Sequence, residues 1–222
     1  MQIRGLIGQI DFQKAAIFLI WLFHVSGILG IIYGDSQWFV SATPINLSLS
    51  FVLLLFALRA TPKVYWVVLA SFLAGMVAEG LGVNYGWIFG HYEYGDSLGL
   101  KIAGVPWLIG VNWAILVVCT AAIASDFFDH LLAKAILGVG LMLLLDAVIE
   151  PMAPVLDFWV FDGGTAPMQN YMGWALVAFP VHLIFHALRL KVEIQYTHHL
   201  FLLQVLFFTV LLLQINTLKD AL

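Results

Sequence analysis

The sequence predicts an all-α protein, a polytopic transmembrane helix bundle of about seven spans, on three observations. Hydrophobic residues make up 63% of the 222-residue chain and charged residues only 10%, a balance far from that of soluble domains. The apolar residues fall in continuous runs near the length that crosses a hydrocarbon core of about 30 Å, roughly 20 residues as helix. These runs do not alternate apolar with polar residues as barrel strands do. Backbone amides in lipid have no water to bond, so helices are the remaining way to satisfy them.

The first span, 15–32, follows the polar segment MQIRGLIGQIDFQK, which is expected to stay outside the membrane. No small-residue cleavage site follows the run, so the span is expected to be retained rather than removed as a leader. A short second span is placed at 44–58 and a third at 64–82, with Arg59 and Lys63 between them. Spans four to seven are placed at 102–124, 131–149, 170–190 and 200–213. No internal repeat, low-complexity linker or appended soluble segment interrupts them, so 1–222 is expected to be a single integral membrane domain. Of 9 Lys and Arg residues, Arg4, Lys14, Arg59, Lys63, Lys134, Arg189 and Lys191 fall on one side, and Lys101 and Lys219 on the other. Positive charge keeps short connections on the cytoplasmic side, which puts the N-terminus inside and the C-terminus outside a multi-pass cell inner membrane.

Two connections, 83–101 and 150–169, are longer than turns need and combine Gly, Pro, aromatic and acidic residues; both fall on the outer side. Span three ends in Glu79, span five in Asp146 and Glu150, and span six begins with Asn170, so these groups approach one plane from three helices. Asp146 and Glu150 are four residues apart, on one helix face. Paired carboxyl groups in a poorly solvated site suit acid and base work, because each raises the other's proton affinity. Acids at a helix end also cap helices in water. Glu79 lies inside the apolar run LAGMVAEGLG, where an ionisable group is costly and usually functional.

The seven histidines do not assemble a metal-ligand pattern. His182 and His186 share a helical spacing and His198 and His199 are adjacent, but His24, His91 and His130 are scattered. The basic side of an interfacial helix accounts for His182, His186 and the adjacent pair, so no metal is expected. A retinal Schiff base would need a lysine within LFLLQVLFFTVLLLQ, which has none. The single cysteine, Cys119, lies deep in span four, lipid-facing or packed, and forms no intrachain disulfide. Net charge of -4 in a membrane chain points to no nucleic-acid partner. Trp21, Trp66, Trp87, Trp107, Trp113, Trp159 and Trp174 lie mostly near span ends, where interfacial belts form. Trp107, Trp113 and Trp159 also flank the polar cluster and could line a pocket for an apolar, electron-rich substrate.

Four segments, EGLGVNYGWIFGHYEY, GVPWLIGVNW, DAVIEP and PMQNYMGW, taken in order over residues 78–174, resemble the carotenoid 1',2'-hydratase family of membrane proteins, the bisanhydrobacterioruberin hydratase type. That pattern has a glutamate before a glycine-rich FGxYxY segment, matched here by Glu79, Phe89, Gly90, Tyr92 and Tyr94. GVP and a following tryptophan are matched by Gly104, Val105, Pro106 and Trp113, and an aspartate four residues before an acid and proline by Asp146, Glu150 and Pro151. Glu150 stands where the family usually has aspartate. Pro167, Asn170, Gly173 and Trp174 complete the match, while spans one, two and seven match only in being hydrophobic.

The resemblance implies cofactor-free addition of water across the terminal double bond of an acyclic carotenoid end group, with membrane lipid and the lipophilic carotenoid as the chain's partners. It implies Asp146 and Glu79 as the proton-handling pair, with Glu150, Asn170 and Tyr94 positioning water and Trp107, Trp113, Trp159, Tyr92 and Asn84 against the substrate. Two other functions stay open at this point. A carotenoid end-group cyclase would form a similar cation and exclude water. A small transporter or proton-conducting protein would use the same acids as a relay, although only Ser71, Asn112 and Thr120 could continue one toward the inner face.

Overall fold

The computed structural model describes residues 2–60, 62–190, 192 and 195–222, and their side chains apart from 2–11, 60 and 221. Lys191 and the side chain of Arg4, both used for orientation, lie outside the described residues.

Helix α1 (Gln2–Tyr33) leads into a short α2 (Ser36–Ser41) and α3 (Thr43–Ala57). Asp35 caps α2 by accepting from Trp38 N at 3.0 Å, and Pro44 opens α3 at a position where a missing N–H is harmless. A single 3-10 turn, Leu58–Ala60, follows α3. Then comes α4 (Val64–Tyr85), stopped by Gly86 in the left-handed conformation at φ 68°, a backbone geometry that glycine adopts without steric penalty. Strands β1 (Tyr92–Tyr94), β2 (Lys101–Ile102) and β3 (Val105–Pro106) precede α5 (Trp107–Phe127) and α6 (Leu131–Ile149). Strand β4 (Trp159–Phe161) precedes α7 (Met168–Ala187), α8 (Gln195–Leu213) and α9 (Ile215–Ala221).

The result is the expected all-α helical bundle. Among the described residues, six segments are long and apolar enough to cross a membrane: Phe12–Tyr33, Ser36–Ala57, Val64–Tyr85, Trp107–Phe127, Leu131–Ile149 and Gln195–Leu213. The second joins α2 to α3 and so is longer than the 44–58 expected. The remaining expected span coincides with α7, whose Gln169, Asn170, His182 and His186 make it less apolar than the other six. The fourth span begins at Trp107 rather than at residue 102. Positive φ at Ala103 (51°) and Gly104 (84°) folds the preceding residues into the β2–β3 hairpin, in which Ile102 pairs with Val105. Pro106 then caps α5.

Helix α5 is the centre of the bundle. Its spanning window is 83% buried, whereas the other five windows are 22–39% buried, because α3, α4, α6, α7 and α8 all pack around it. The outer helices keep Phe18, Trp66, Val77, Ile136 and Leu176 exposed. That distribution suits a lipid surround, in which apolar side chains need no burial against protein.

Candidate active site

The two long connections pair with each other. β1 and β4 are antiparallel, with Tyr92 opposite Phe161, Glu93 opposite Val160 and Tyr94 opposite Trp159. Side chains alternate across a strand, so Tyr92, Tyr94 and Phe161 turn inward and are buried while Glu93 and Val160 face outward. Asp157 ties the loops further by accepting from Asp96 N at 2.8 Å and from Ser97 N and Oγ at 3.0 Å each. Lys101 Nζ donates to Tyr94 O and to Asp96 Oδ1, each at 2.8 Å. A lid of two strands thus carries aromatic side chains down onto the helix ends.

Under this lid, Glu79 is 4% exposed and receives three donors. Tyr92 and Tyr94 hydroxyls both donate to Oε2, the latter at 2.7 Å, and Trp113 Nε1 donates to Oε1 at 3.0 Å. Burial, reinforced by the neighbouring Glu79 carboxylate, pushes both tyrosine hydroxyls above their ordinary range, so they stay protonated as donors. Each hydrogen bond to a charged group contributes about 1.5–3 kcal/mol, so the three donors together offset part of the cost of burying a carboxylate. Trp113 is placed by Gly75 of α4, where a Cβ would overlap the indole ring. Its other face stacks on Trp174 at 4.2 Å between centroids and 10° between planes.

Asp146 and Glu150 lie on the opposite side of the cavity and share one amide. Asn170 Nδ2 donates to Asp146 Oδ2 at 2.9 Å and to Glu150 Oε1 at 3.0 Å, and Trp159 Nε1 reaches Glu150 Oε2 at 3.3 Å. Asp146 and Asn170 are 3% and 2% exposed. Glu150 sits at the end of α6 beyond its apolar run, and burial pushes its carboxyl up to about 7 against the opposing hydrogen bond from Trp159. Glu79, Asp146, Glu150 and Asn170 therefore line one cavity of about 30 Å³ together with Tyr92, Tyr94 and Trp159.

Two of the residues singled out in the sequence are elsewhere. Trp107 is 37% exposed at the start of α5, and Asn84 is exposed and pins the β2–β3 turn through Nδ2 to Gly80 O and Ala103 O at 2.8 and 3.0 Å. Trp113 is buried and donates to Glu79 but is not part of the cavity wall, whereas Trp174, expected in a belt, is 8% exposed and lines the cavity. The spacing of four between Asn170 and Trp174 could have put both on one face. Ile109, Asn112 and Phe161 complete the lining; of these, Phe161 follows Trp159 by two, the strand repeat.

His182 and His186 are buried, against the interfacial expectation. His182 is fully buried against α5 and α6, with Nε2 at 2.9 Å from Thr120 Oγ1 and Nδ1 at 2.9 Å from Ala178 O, and Gly138 opens the space for its ring. His198 pairs with Asp126 at 2.8 Å, and His199 accepts from Trp21 Nε1 at 3.2 Å. Cys119 is packed rather than lipid-facing. Among the described residues no group of three or more His, Cys, Asp or Glu side chains is arranged to hold a metal ion.

Residues 40–221 match the family described as carotenoid biosynthesis protein. Bisanhydrobacterioruberin hydratase of Haloarcula japonica is 29% identical over 115 residues, which cover 48% of this chain and 39% of that protein. The chain thus matches well under half the length of this relative. No solved structure matches. With a match extending over most of its length, the chain belongs to the carotenoid biosynthesis protein family.

Proposed function

We propose that the chain is a cofactor-independent hydratase that adds water across the terminal C1',2' double bond of an acyclic carotenoid end group. One observation carries this reading: three carboxyl groups meet in a small, aromatic-walled cavity, and their hydrogen bonding divides them into two kinds. Asp146 is buried with a single side-chain donor, so a proton there replaces little lost hydrogen bonding. It is the acid. Glu79, with its three donors, is the carboxylate.

In the forward direction Asp146 gives its proton to the less substituted alkene carbon. The tertiary cation that results is stabilised by the faces of Trp174, Tyr92 and Phe161 and by the Glu79 carboxylate. Water held near Glu150, Asn170 and Tyr94 bonds to the cation and loses a proton to Glu79. Return of that proton to Asp146 restores the site, so the net change is addition of one water. A cavity of about 30 Å³ has room for a water molecule or two, so the end of a polyene enters only as the aromatic walls give way. The relative is named for hydration of bisanhydrobacterioruberin, chemistry of the same kind.

The proposed setting is a multi-pass inner-membrane protein with the lid on the non-cytoplasmic face. Reporter fusions after Gly95 and Gly163 should behave as external and one after Asp126 as cytoplasmic; the reverse pattern would overturn the orientation. Expression in a bacterium that accumulates an acyclic carotenoid tests the activity. A pigment heavier by one water supports hydration, whereas a cyclised product isomeric with the substrate, or no change, contradicts it.

A further inference from the structure

Beside the acid cavity lies a second one of about 90 Å³, and the two share Ile109, Asn112 and Trp159 in their walls. Most of its surface is apolar, yet His24, Asn46, Ser50, Asn112 and Gln204 all line it. Three buried polar atoms among them have no partner: Asn46 Oδ1, Ser50 Oγ and Gln204 Oε1. Ser50 and Gln204 are 2% and 7% exposed. An orphaned polar atom at such depth is unfavourable by about 1–3 kcal/mol, and three around one chamber imply a ligand that satisfies them.

The chemistry of that ligand follows from which atoms are left over. Gln204 Nε2 donates to Asn112 Oδ1 at 3.4 Å, which leaves the carbonyl oxygen of Gln204 unpaired. His24 Nδ1 lies 2.7 Å from the carbonyl of Ile20; a carbonyl only accepts, so Nδ1 carries the hydrogen and Nε2 of the neutral ring is an acceptor. Asn46 Oδ1 is likewise an acceptor. The chamber is therefore rich in acceptors and calls for a donor. A ketone or ether oxygen could pair only with Ser50 Oγ or the amide Nδ2 groups of Asn46 and Asn112, and would leave the orphaned carbonyl oxygens unmet, while an O–H group serves any of them.

We propose that this chamber is an O–H-binding site adjoining the reaction cavity. It rests on the hydratase reading for its purpose: the O–H belongs either to a hydroxyl on the isoprenoid near the reacting alkene, or to the water that adds. Through Thr43, Asn46 and Phe207 the chamber adjoins a wider crevice of about 410 Å³ between α1 and α2–α3, which gives an apolar ligand a route from the lipid side.

The test uses purified protein in lipid nanodiscs, as wild type, Ser50→Ala and Gln204→Leu. The probes are two acyclic carotenoids with the same terminal alkene, one bearing a hydroxyl a few carbons away. Affinity is read from quenching of tryptophan fluorescence, and turnover is run in deuterated water. Wild type binding the hydroxylated probe at least about tenfold tighter, the worth of one hydrogen bond to a buried acceptor, with the gap closing in both variants, supports a substrate hydroxyl. Equal binding, with variants that hydrate more slowly and return alkene carrying solvent deuterium, supports bound water, because protonation then proceeds without capture. Equal binding together with variant turnover within about twofold of wild type, a change under about 0.5 kcal/mol, overturns the site. If neither probe gains oxygen in wild type, the hydratase reading fails, while the affinity gap still decides the chamber.

Discussion

The two sides of the acid cavity solve the same problem differently. On the α4 side, one carboxyl, Glu79, is met by three donors drawn from the lid and α5. On the α6 side, two carboxyls, Asp146 and Glu150, share the single amide of Asn170, and only Glu150 has a further donor, Trp159. A carboxylate surrounded by donors is built to keep its charge. A pair short of donors is built to keep a proton between them. On the proposed mechanism Glu79 carries the negative charge and Asp146 the transferable proton, on two different helices that line one cavity, as an acid-catalysed addition requires.

The largest effect should come from erasing the difference. Asp146→Asn and Glu79→Gln preserve shape but remove the proton and the charge, and each should lower conversion by roughly 10² to 10⁴ at equal membrane protein level. If the acids only cap helix ends, the amides will convert pigment almost normally, since Asn caps as well as Asp.

Next in size, loss of one donor should matter unequally. Asn170→Leu leaves Asp146 without its side-chain donor and frees Glu150 to swing, and should slow conversion by about 10- to 100-fold, equivalent to one or two charged hydrogen bonds. Tyr94→Phe leaves Glu79 with two donors and should slow it by about tenfold or less on the same scale. Equal losses would contradict the asymmetry.

Glu150 allows a subtler test. Its carboxyl is raised to about 7 by burial, so it holds a proton below that pH and releases it as pH rises through it. Conversion should decline on the alkaline side of about 7. Glu150→Gln, neutral at every pH, should lower the maximum and abolish that decline, whereas Glu150→Asp should keep the decline with a smaller loss. The smallest effect expected is Gly75→Ala. The added methyl meets the Trp113 ring and should cost a few-fold in rate and about 1–3 kcal/mol in stability through overpacking. Gly140→Ala, which meets nothing within 4 Å, should be silent in both; thermal unfolding and pigment conversion measure the pair.

The sequence made some of this plain and concealed the rest. Apolar run length is a local property, so the bundle and most of its helices were readable. The fourth span, α5, starts later than its apolar run because positive φ at Ala103 cannot be inferred from an alanine. Asp146 and Glu150 declared themselves by their spacing of four, and Glu79 by its cost within LAGMVAEGLG. Pairing of Tyr92 with Phe161 joins loops far apart in sequence, and no periodicity reports a two-strand contact of three residues. Burial of His182 is not legible in the sequence, because α7 is mixed in polarity on several sides and its buried face forms no clear stripe. Gln204 stands alone in the apolar run LFLLQVLFF, and only the fold brings it to Asn112.

The central claim is that solvent water supplies the new oxygen. Conversion of an acyclic carotenoid by membranes containing the protein should be run without air in water enriched in heavy oxygen. The account predicts undiminished conversion, with the heavy isotope in the product hydroxyl. Loss of activity on removing air, or a hydroxyl that carries no label, would contradict it.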